Sequence, residues 1–418
     1  MNLHSLVIAI AMIVVNSQNA FAQNEKTPKA VLVIVDGIPA DLLESVATPY
    51  IDIISRTGGY TRAYHGGERS GYSQTPTISA VGYNSMLTGT WANKHNVWDN
   101  AIEAPNYNYW TIFRALKESK AQSKLGIYST WTDNRTKLIG AGLQQTNGLT
   151  IDYQFDGYEL DTIRFPHDRH SRYIHLIDEE VTKQASVSIR NDGPDLSWVY
   201  LQYTDDMGHT YGDSEQMVDG IKKADRQIGE IYNAILYREQ NFEEDWLIVI
   251  TTDHGRDIAT GLSHGGQSDR ERTIWISTNS RRLNKHFFAH TPAIVDIFPS
   301  VANHLQVALN KTQQYELDGV PFIGEVSIAD PRAAVEDGTL IVSWTPFTNK
   351  GSVKVLVSAT DYFKDQGVGT PDTYQVLGEF SVGERSARIS LPPNLKRSKL
   401  LKVVIEGEHN TLNREVSR

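Results

Sequence analysis

The 418-residue chain contains no cysteine. That excludes disulfides, thiolate metal sites, a cysteine nucleophile and a lipid-modified cysteine. It also lacks an apolar run long enough to span a bilayer. Leu6 to Val15 has only ten residues, against the ~20 that a spanning helix needs. An excess of positive charge is missing too: 40 Lys and Arg face 50 Asp and Glu, a net charge of −10. This balance argues against duplex nucleic acid as a partner, because phosphate-backbone binding needs a basic footprint. A small phosphorylated substrate stays open, since one site can be positive on an acidic protein. There is no internal repeat and no low-complexity tract. What is present is an ordinary globular composition, 40% hydrophobic and 22% charged, with enough length for one large domain or a large and a smaller one.

Ala20-Phe21-Ala22 follows the short apolar run. Such a run before a small-x-small site reads as a cleavable signal peptide over residues 1–22, although the stretch before the run has no Lys or Arg. The mature chain then starts at Gln23. Export combined with zero cysteine points to a bacterial periplasmic or secreted protein without a transmembrane anchor.

Three continuous apolar runs dominate the body: Ala30 to Val35, Leu196 to Tyr203 and Trp246 to Ile250. Short β-branched runs without alternation are expected of strands buried on both faces of a parallel sheet. Helically spaced segments lie between them, such as Tyr109 to Leu116 and Met217 to Leu236. The alternation predicts an α/β fold, a doubly wound and mostly parallel sheet flanked by helices. Ligands of such sheets bind beyond the carboxyl ends of the strands. Each run has an aspartate at or just beyond that end: Asp36, Asp205 and Asp253. One such aspartate is often a helix cap; three of them, two with a histidine close by, are harder to explain that way.

The texture changes near residue 326. Thr339 to Trp344, Ser352 to Thr360, Tyr374 to Phe380, Ala387 to Leu391 and Leu400 to Glu406 read as strands separated by turns, without a convincing helix. The expected organisation is a catalytic domain over 23–325 and a small all-β sandwich over 326–418 that resembles a fibronectin type III module. No chemical constellation falls in the second part, which reads as a structural or docking appendage.

The chemistry lies in five motifs: Asp36; the stretch from Thr75 to Gly89; Asp205-Asp-Met-Gly-His209; Asp253-His254-Gly255; and Ser263-His264-Gly265-Gly266. They offer three carboxylates, three imidazoles and a hydroxyl nucleophile, with Thr75, Thr77 and Ser79 competing for that part. Two divalent ions need about that many ligands, with positions left for substrate. Oxygen and nitrogen ligands without sulfur suit Zn2+, with Mn2+ as the alternative.

This set resembles the alkaline phosphatase superfamily, and within it the nucleotide pyrophosphatase/phosphodiesterase branch, over roughly residues 28–325. The resemblance implies that Asp36, Asp253 and His254 hold one ion with the nucleophile beside it. Asp205, His209 and His264 then hold the other. In that superfamily the nucleophile opens a helix ending in Thr-Gly, ten residues before the glycine. With Gly89 as that glycine, the position is Ser79, with Thr77 second. A helix start favours an oxyanion, although serine also serves as a plain N-cap. Asn100 stands 21 residues after Ser79, where the branch carries an asparagine that donates to a phosphate oxygen. An Asx-turn is its bland alternative.

The chain departs from the branch in having Ser79-Ala80-Val81-Gly82 where a threonine followed by x-Pro-Asn is usual. Arg256 directly after Asp253-His254-Gly255 is also unusual; it suits either a terminal phosphate or a surface pair with Asp257. Asp206 reads as supporting or solvent-facing. Trp98, Tyr83, Tyr72 and Trp131 read as rim packing more than as base-stacking platforms. The implied function is an exported, metal-dependent hydrolase of phosphodiester or pyrophosphate bonds working through a serine-bound phosphoryl or nucleotidyl intermediate. A phosphomonoesterase on the same scaffold is the alternative, and a non-catalytic surface binding protein a more distant one. A sulfatase is disfavoured because Val81 and Tyr83 replace the Pro and Arg of its maturation pattern. Oligomeric state is silent in the sequence.

Overall fold

The computed structural model describes residues 26–365 and 370–417. The expected signal peptide lies outside these residues. The body is built on a seven-stranded sheet. Its strands are β1 (Thr27–Val35), β2 (Gly59–Tyr64), β3 (Leu125–Ser129), β4 (Tyr153–Phe155), β5 (Leu196–Leu201), β6 (Glu244–Thr251) and β7 (Thr273–Thr278), in the order β2-β7-β6-β1-β5-β3-β4. The five from β6 to β4 run parallel, while β7 is antiparallel to both of its neighbours. The sheet is therefore mixed α/β and mostly parallel, as expected.

The apolar runs form its centre because successive residues serve opposite faces. Ala30, Leu32 and Ile34 enter one core with Leu247 and Val249. Val31, Val33 and Val35 enter the other with Ile248 and Ile250. Each fully buried side chain of this size is worth about 1.5–3 kcal/mol. The first face is covered by α1 (Ser79–Thr88), α2 (Ile112–Ser119) and α6 (Ile297–His304), and the second by α3 (Arg172–Asp192) and α5 (Glu215–Asn241). The second run is shorter than expected: β5 stops at Leu201, and Tyr203 opens α4 (Tyr203–Tyr211), which places Asp205 in the first turn of a helix.

Register is what brings the aspartates together. Val35 pairs with Leu201 and Ile34 with Thr251, so β6, β1 and β5 end level and adjacent. The Asp36 N–H donates to Leu201 O at 3.0 Å.

Beyond Ser327 come β8 (Ile328–Glu336), β9 (Thr339–Pro346), β10 (Ser352–Ser358), β11 (Gln375–Ser381), β12 (Ser386–Ser390), β13 (Leu400–Glu406) and β14 (Thr411–Ser417). They form antiparallel sheets β11-β10-β13-β14 and β12-β9-β8 around a separate core. β8 and β14 were not foreseen, and a four-residue helix at Pro393–Lys396 interrupts the strands. Buried lysines join these sheets to the body. Lys94 Nζ donates to Glu316 O at 2.8 Å, Asp318 Oδ1 at 2.6 Å and Asn413 Oδ1 at 2.8 Å. Lys402 Nζ donates to Glu316 Oε1 at 2.6 Å and Asp372 Oδ2 at 2.8 Å.

Candidate active site

The chain ends of β1, β5 and β6 gather the six acids and histidines into two groups, Asp36 with Asp253 and His254, and Asp205 with His209 and His264. Within each group the ligand atoms lie within 4.8 Å of one another. The groups adjoin, since the His254 and His264 rings stack at 3.6 Å.

Each carboxylate has one oxygen pinned by the protein and one turned to its group. Asp36 Oδ2 accepts the hydroxyls of Tyr83 and Tyr200, the latter at 2.7 Å. Its Oδ1 lies 3.4 Å from His254 Nε2. Asp253 Oδ1 accepts the Gly37 N–H at 3.2 Å, and Oδ2 lies 3.3 Å from His254 Nε2. Asp205 Oδ1 pairs with Arg256, and Oδ2 lies 3.3 Å from His209 Nε2. The imidazoles follow the same rule. His254 Nδ1 meets Gly255 O, His209 Nδ1 meets Leu262 O and His264 Nδ1 meets Thr77 O, each at 2.9 Å. A carbonyl only accepts, so Nδ1 carries the proton and Nε2 is the atom presented to the group.

This donor set fits divalent cations. Asp36 Oδ1 and Asp253 Oδ2 are buried without a hydrogen-bond partner, a costly state for a carboxylate oxygen unless a cation meets it. His209 Nε2 and His264 Nε2 face each other at 3.1 Å, which two acceptors tolerate only with a cation or proton between them. Mixed oxygen and imidazole ligands with pinned second atoms are what zinc-type sites use.

The electrostatics are those of crowded acids. Burial and the neighbouring Asp36 push Asp253 well above the usual carboxylate range. Burial opposes charge on His254, yet Asp253 and Asp36 hold its pKa up at about 9. Burial, reinforced by His254, takes His264 down to about 4. For Asp205 burial acts upward, but His209 and Arg256 win and hold it below the usual range. Burial and Asp36 raise Tyr83 and Tyr200 well above an ordinary phenol, so both stay hydrogen-bond donors.

The three candidate hydroxyls differ in their contacts. Thr75 Oγ1 donates to Ser73 O and accepts the Ala92 N–H. Thr77 Oγ1 donates to Gly266 O at 2.8 Å and accepts the Gly265 N–H at 3.1 Å. Ser79 Oγ lies 3.4 Å from His254 Nε2. Ser79 is the first residue of α1 and Ile78 its cap, so the serine side chain does not cap the helix. Gly89 ends α1 in the left-handed region at φ 66°. Asn100 is next door: its Oδ1 accepts the Ala80 N–H at 3.0 Å. The Asx-turn in this loop belongs instead to Asp99, whose Oδ1 accepts the Ala101 N–H.

Neither expectation for Arg256 holds. It is fully buried, and Asp257 is occupied by the N–H groups of Ala259, Thr260 and Ser263. Arg256 donates instead to Gly37 O, Gly261 O, Leu262 O, and both Asp205 O and Asp205 Oδ1. Asp206 supports α4, accepting from Ser171 Oγ at 2.6 Å and Gln202 Nε2 at 3.0 Å. Tyr83 is buried against Asp36 and Trp198 rather than lying on a rim. Trp98 is 43% exposed. The pinning roles of Tyr83 and Tyr200 escaped the sequence reading. Their signals were the four-residue spacing of Tyr83 from Ser79 on one helix face and the parity of Tyr200 with Trp198 on one strand face.

Carboxylates and imidazoles beyond the ends of a parallel sheet, with a helix-borne hydroxyl beside them, place the protein among the phosphoester hydrolases of the alkaline phosphatase superfamily. More narrowly, the chain belongs to the type I phosphodiesterase / nucleotide pyrophosphatase family, whose model matches residues 30–263. Among solved structures, it is similar in fold to the phosphonate monoester hydrolase of Agrobacterium radiobacter, at 12% identity over 93% of this chain and 89% of that one, TM-score 0.51. It is also similar to BT1596, a 2-O GAG sulfatase, at 10% identity over 77% and 81%, TM-score 0.50. Murine ectonucleotide pyrophosphatase / phosphodiesterase 5, in complex with AMP, matches at 14% identity over 67% and 96%, TM-score 0.49. No curated protein matches the chain. Among the described residues, no helix is long and apolar enough to cross a membrane.

Proposed function

We propose that the protein is an exported phosphodiesterase or nucleotide pyrophosphatase that cleaves small phosphorylated substrates through a serine-bound intermediate, with two divalent ions, Zn2+ or alternatively Mn2+. The observation that carries this reading is the placement of Ser79 Oγ at the start of α1, 3.4 Å from His254 Nε2. The ions would be held by Asp36, Asp253 and His254 with Ser79 beside them, and by Asp205, His209 and His264. When bound, they would supply Lewis acidity to the serine oxygen and to the substrate oxygens.

Ser79 Oγ gives its proton to solvent and attacks phosphorus; the bond from phosphorus to the leaving oxygen breaks, and that oxygen takes up a proton from water. Water then cleaves the phosphoserine bond and restores the hydroxyl. The Ala80 N–H is engaged by Asn100 Oδ1. That contact supports a role in which the amide NH2 donates to a non-bridging oxygen.

Arg256 favours diesters over monoesters. A terminal phosphate carries an extra charge that calls for a cation, and this guanidinium is buried and committed to protein acceptors. The domain division at 325/326 belongs to the same proposal. The antiparallel sheets of four and three strands support a fibronectin type III-like sandwich as a structural appendage.

The test compares a p-nitrophenyl nucleoside-phosphate diester with a p-nitrophenyl phosphomonoester, with zinc, manganese and EDTA arms. Faster diester turnover that disappears with EDTA and in Ser79→Ala is expected. Faster monoester turnover would move the substrate class. No turnover of either ester would abandon the hydrolytic reading.

A further inference from the structure

The three carboxylates of the site are pinned by unlike partners. Neutral phenols hold Asp36 and a neutral N–H holds Asp253. A guanidinium holds Asp205. The first group carries two carboxylates and no guanidinium or other permanent cation. The second carries one carboxylate already matched by Arg256.

The surroundings are shaped to admit this arginine. A Cβ on Gly208 would stand 2.1 Å from Arg256 Cζ and Nε. One on Gly37, whose φ is +67°, would stand 2.6 Å from Asp205 Oδ1 and 2.8 Å from Arg256 Nη2. The fork also reaches Leu262 O, the carbonyl that orients His209. Arg256 thus touches the main chain beside Asp36, the ligand Asp205, and the loop that aligns a second ligand.

We infer that Arg256 sets the order of metal loading. By neutralising Asp205, it makes the Asp205–His209–His264 group the weaker cation site, and the Asp36–Asp253–His254 group fills first. The inference rests on reading both groups as cation sites. Burial works in the same direction. The His254 side chain is 0% exposed and the His209 side chain 47%, and attraction between charges strengthens as water is excluded.

The experiment is a calorimetric zinc titration of the full chain after chelation and dialysis, with metal content measured by mass spectrometry. Two binding steps separated by at least about tenfold in affinity are expected, since a unit charge a few ångströms away is worth that much or more. Asp205→Asn removes the weaker step and Asp253→Asn the tighter one. Arg256→Gln, neutral but still a donor, narrows the separation by about tenfold or more, while Arg256→Lys, which keeps the charge, preserves it. Two steps of equal affinity overturn the inference and leave the two-site reading standing, as does loss of the tighter step in Asp205→Asn. An unchanged separation in a folded Arg256→Gln chain removes Arg256 from the account. If that chain does not fold, the two aspartate variants still decide the order. A wild-type chain that binds no zinc overturns both the inference and the reading beneath it.

Discussion

The two ligand groups are assembled by different means. Asp36, Asp253 and His254 sit where β1 and β6 end, so strand register positions them, and all three are buried. Asp205 and His209 are four residues apart on α4, and His264 comes from a loop whose Leu262 O orients His209. The first group is thus set by the sheet and the second by a helix turn and a loop. A rigid scaffold with part of the site on loops is the usual division between fold and function. The sheet-borne group lies beside the Ser79 hydroxyl, and the loop-borne group is the more exposed.

The comparison is sharpened most by Ser79→Ala. If the sheet-borne group works through Ser79, kcat falls by at least about 10³-fold while zinc binding at the helix-borne group persists. Calorimetry alongside single-turnover rates would show both. Retained turnover would detach the hydroxyl from the group beside it.

Next in size is the pair Tyr83→Phe with Tyr200→Phe. These hydroxyls touch Asp36 and no ligand of the other group. Removing them should lower affinity at the tighter zinc step by about 10–100-fold and leave the weaker step in place. Equal weakening of both steps would show that the groups are not separately supported.

Thr77→Val tests the other half. The Thr77 hydroxyl holds the Gly265–Gly266 backbone beside His264. Its loss should cost about 1–2 kcal/mol of stability, with turnover kept within about tenfold of wild type, as thermal melts and diester assays would report. A collapse of activity matching that of Ser79→Ala would return Thr77 to the role of nucleophile.

The legibility of the molecule follows the same line. Strands buried on both faces have to be apolar throughout, so β1, β5 and β6 stand out in the chain together with their terminal aspartates. Strands at or near the sheet edges, such as β2, β7 and the three-residue β4, carry weaker patterns and were missed. His209 was readable because helix spacing ties it to Asp205. The Arg256–Asp205 pair was not, since its partners are 51 residues apart in sequence and only the folded sheet brings them together. The position of Arg256 after Asp253-His254-Gly255 stands out in the sequence, but its neighbours there suggest only a terminal phosphate or Asp257 as partners. Asn100 stands out only through the family resemblance, at 21 residues after Ser79. That its oxygen engages Ala80 is a fact of the loop's geometry.

The smallest effect concerns Asp178, which braces the helix-borne half from α3. It accepts from Thr130 Oγ1 at 2.6 Å, the Gln202 N–H at 3.1 Å and the Tyr203 N–H at 2.9 Å, and so holds the turn that starts α4. Burial pushes its pKa from 3.8 up to about 7. Between those values the folded chain keeps a proton that the unfolded chain has lost. This contribution to stability is therefore full below 3.8, declines as pH rises to about 7 and is flat above. Acids with lowered values, such as Asp205, contribute with the opposite sign at the acid end. The measurement is consequently a difference: denaturant unfolding of wild type and Asp178→Asn across this window. The variant should lose part of the decline while keeping the acid limb. An identical pH slope in both chains would mean that Asp178 is ionised in the folded protein throughout, and that its three donors outweigh its burial.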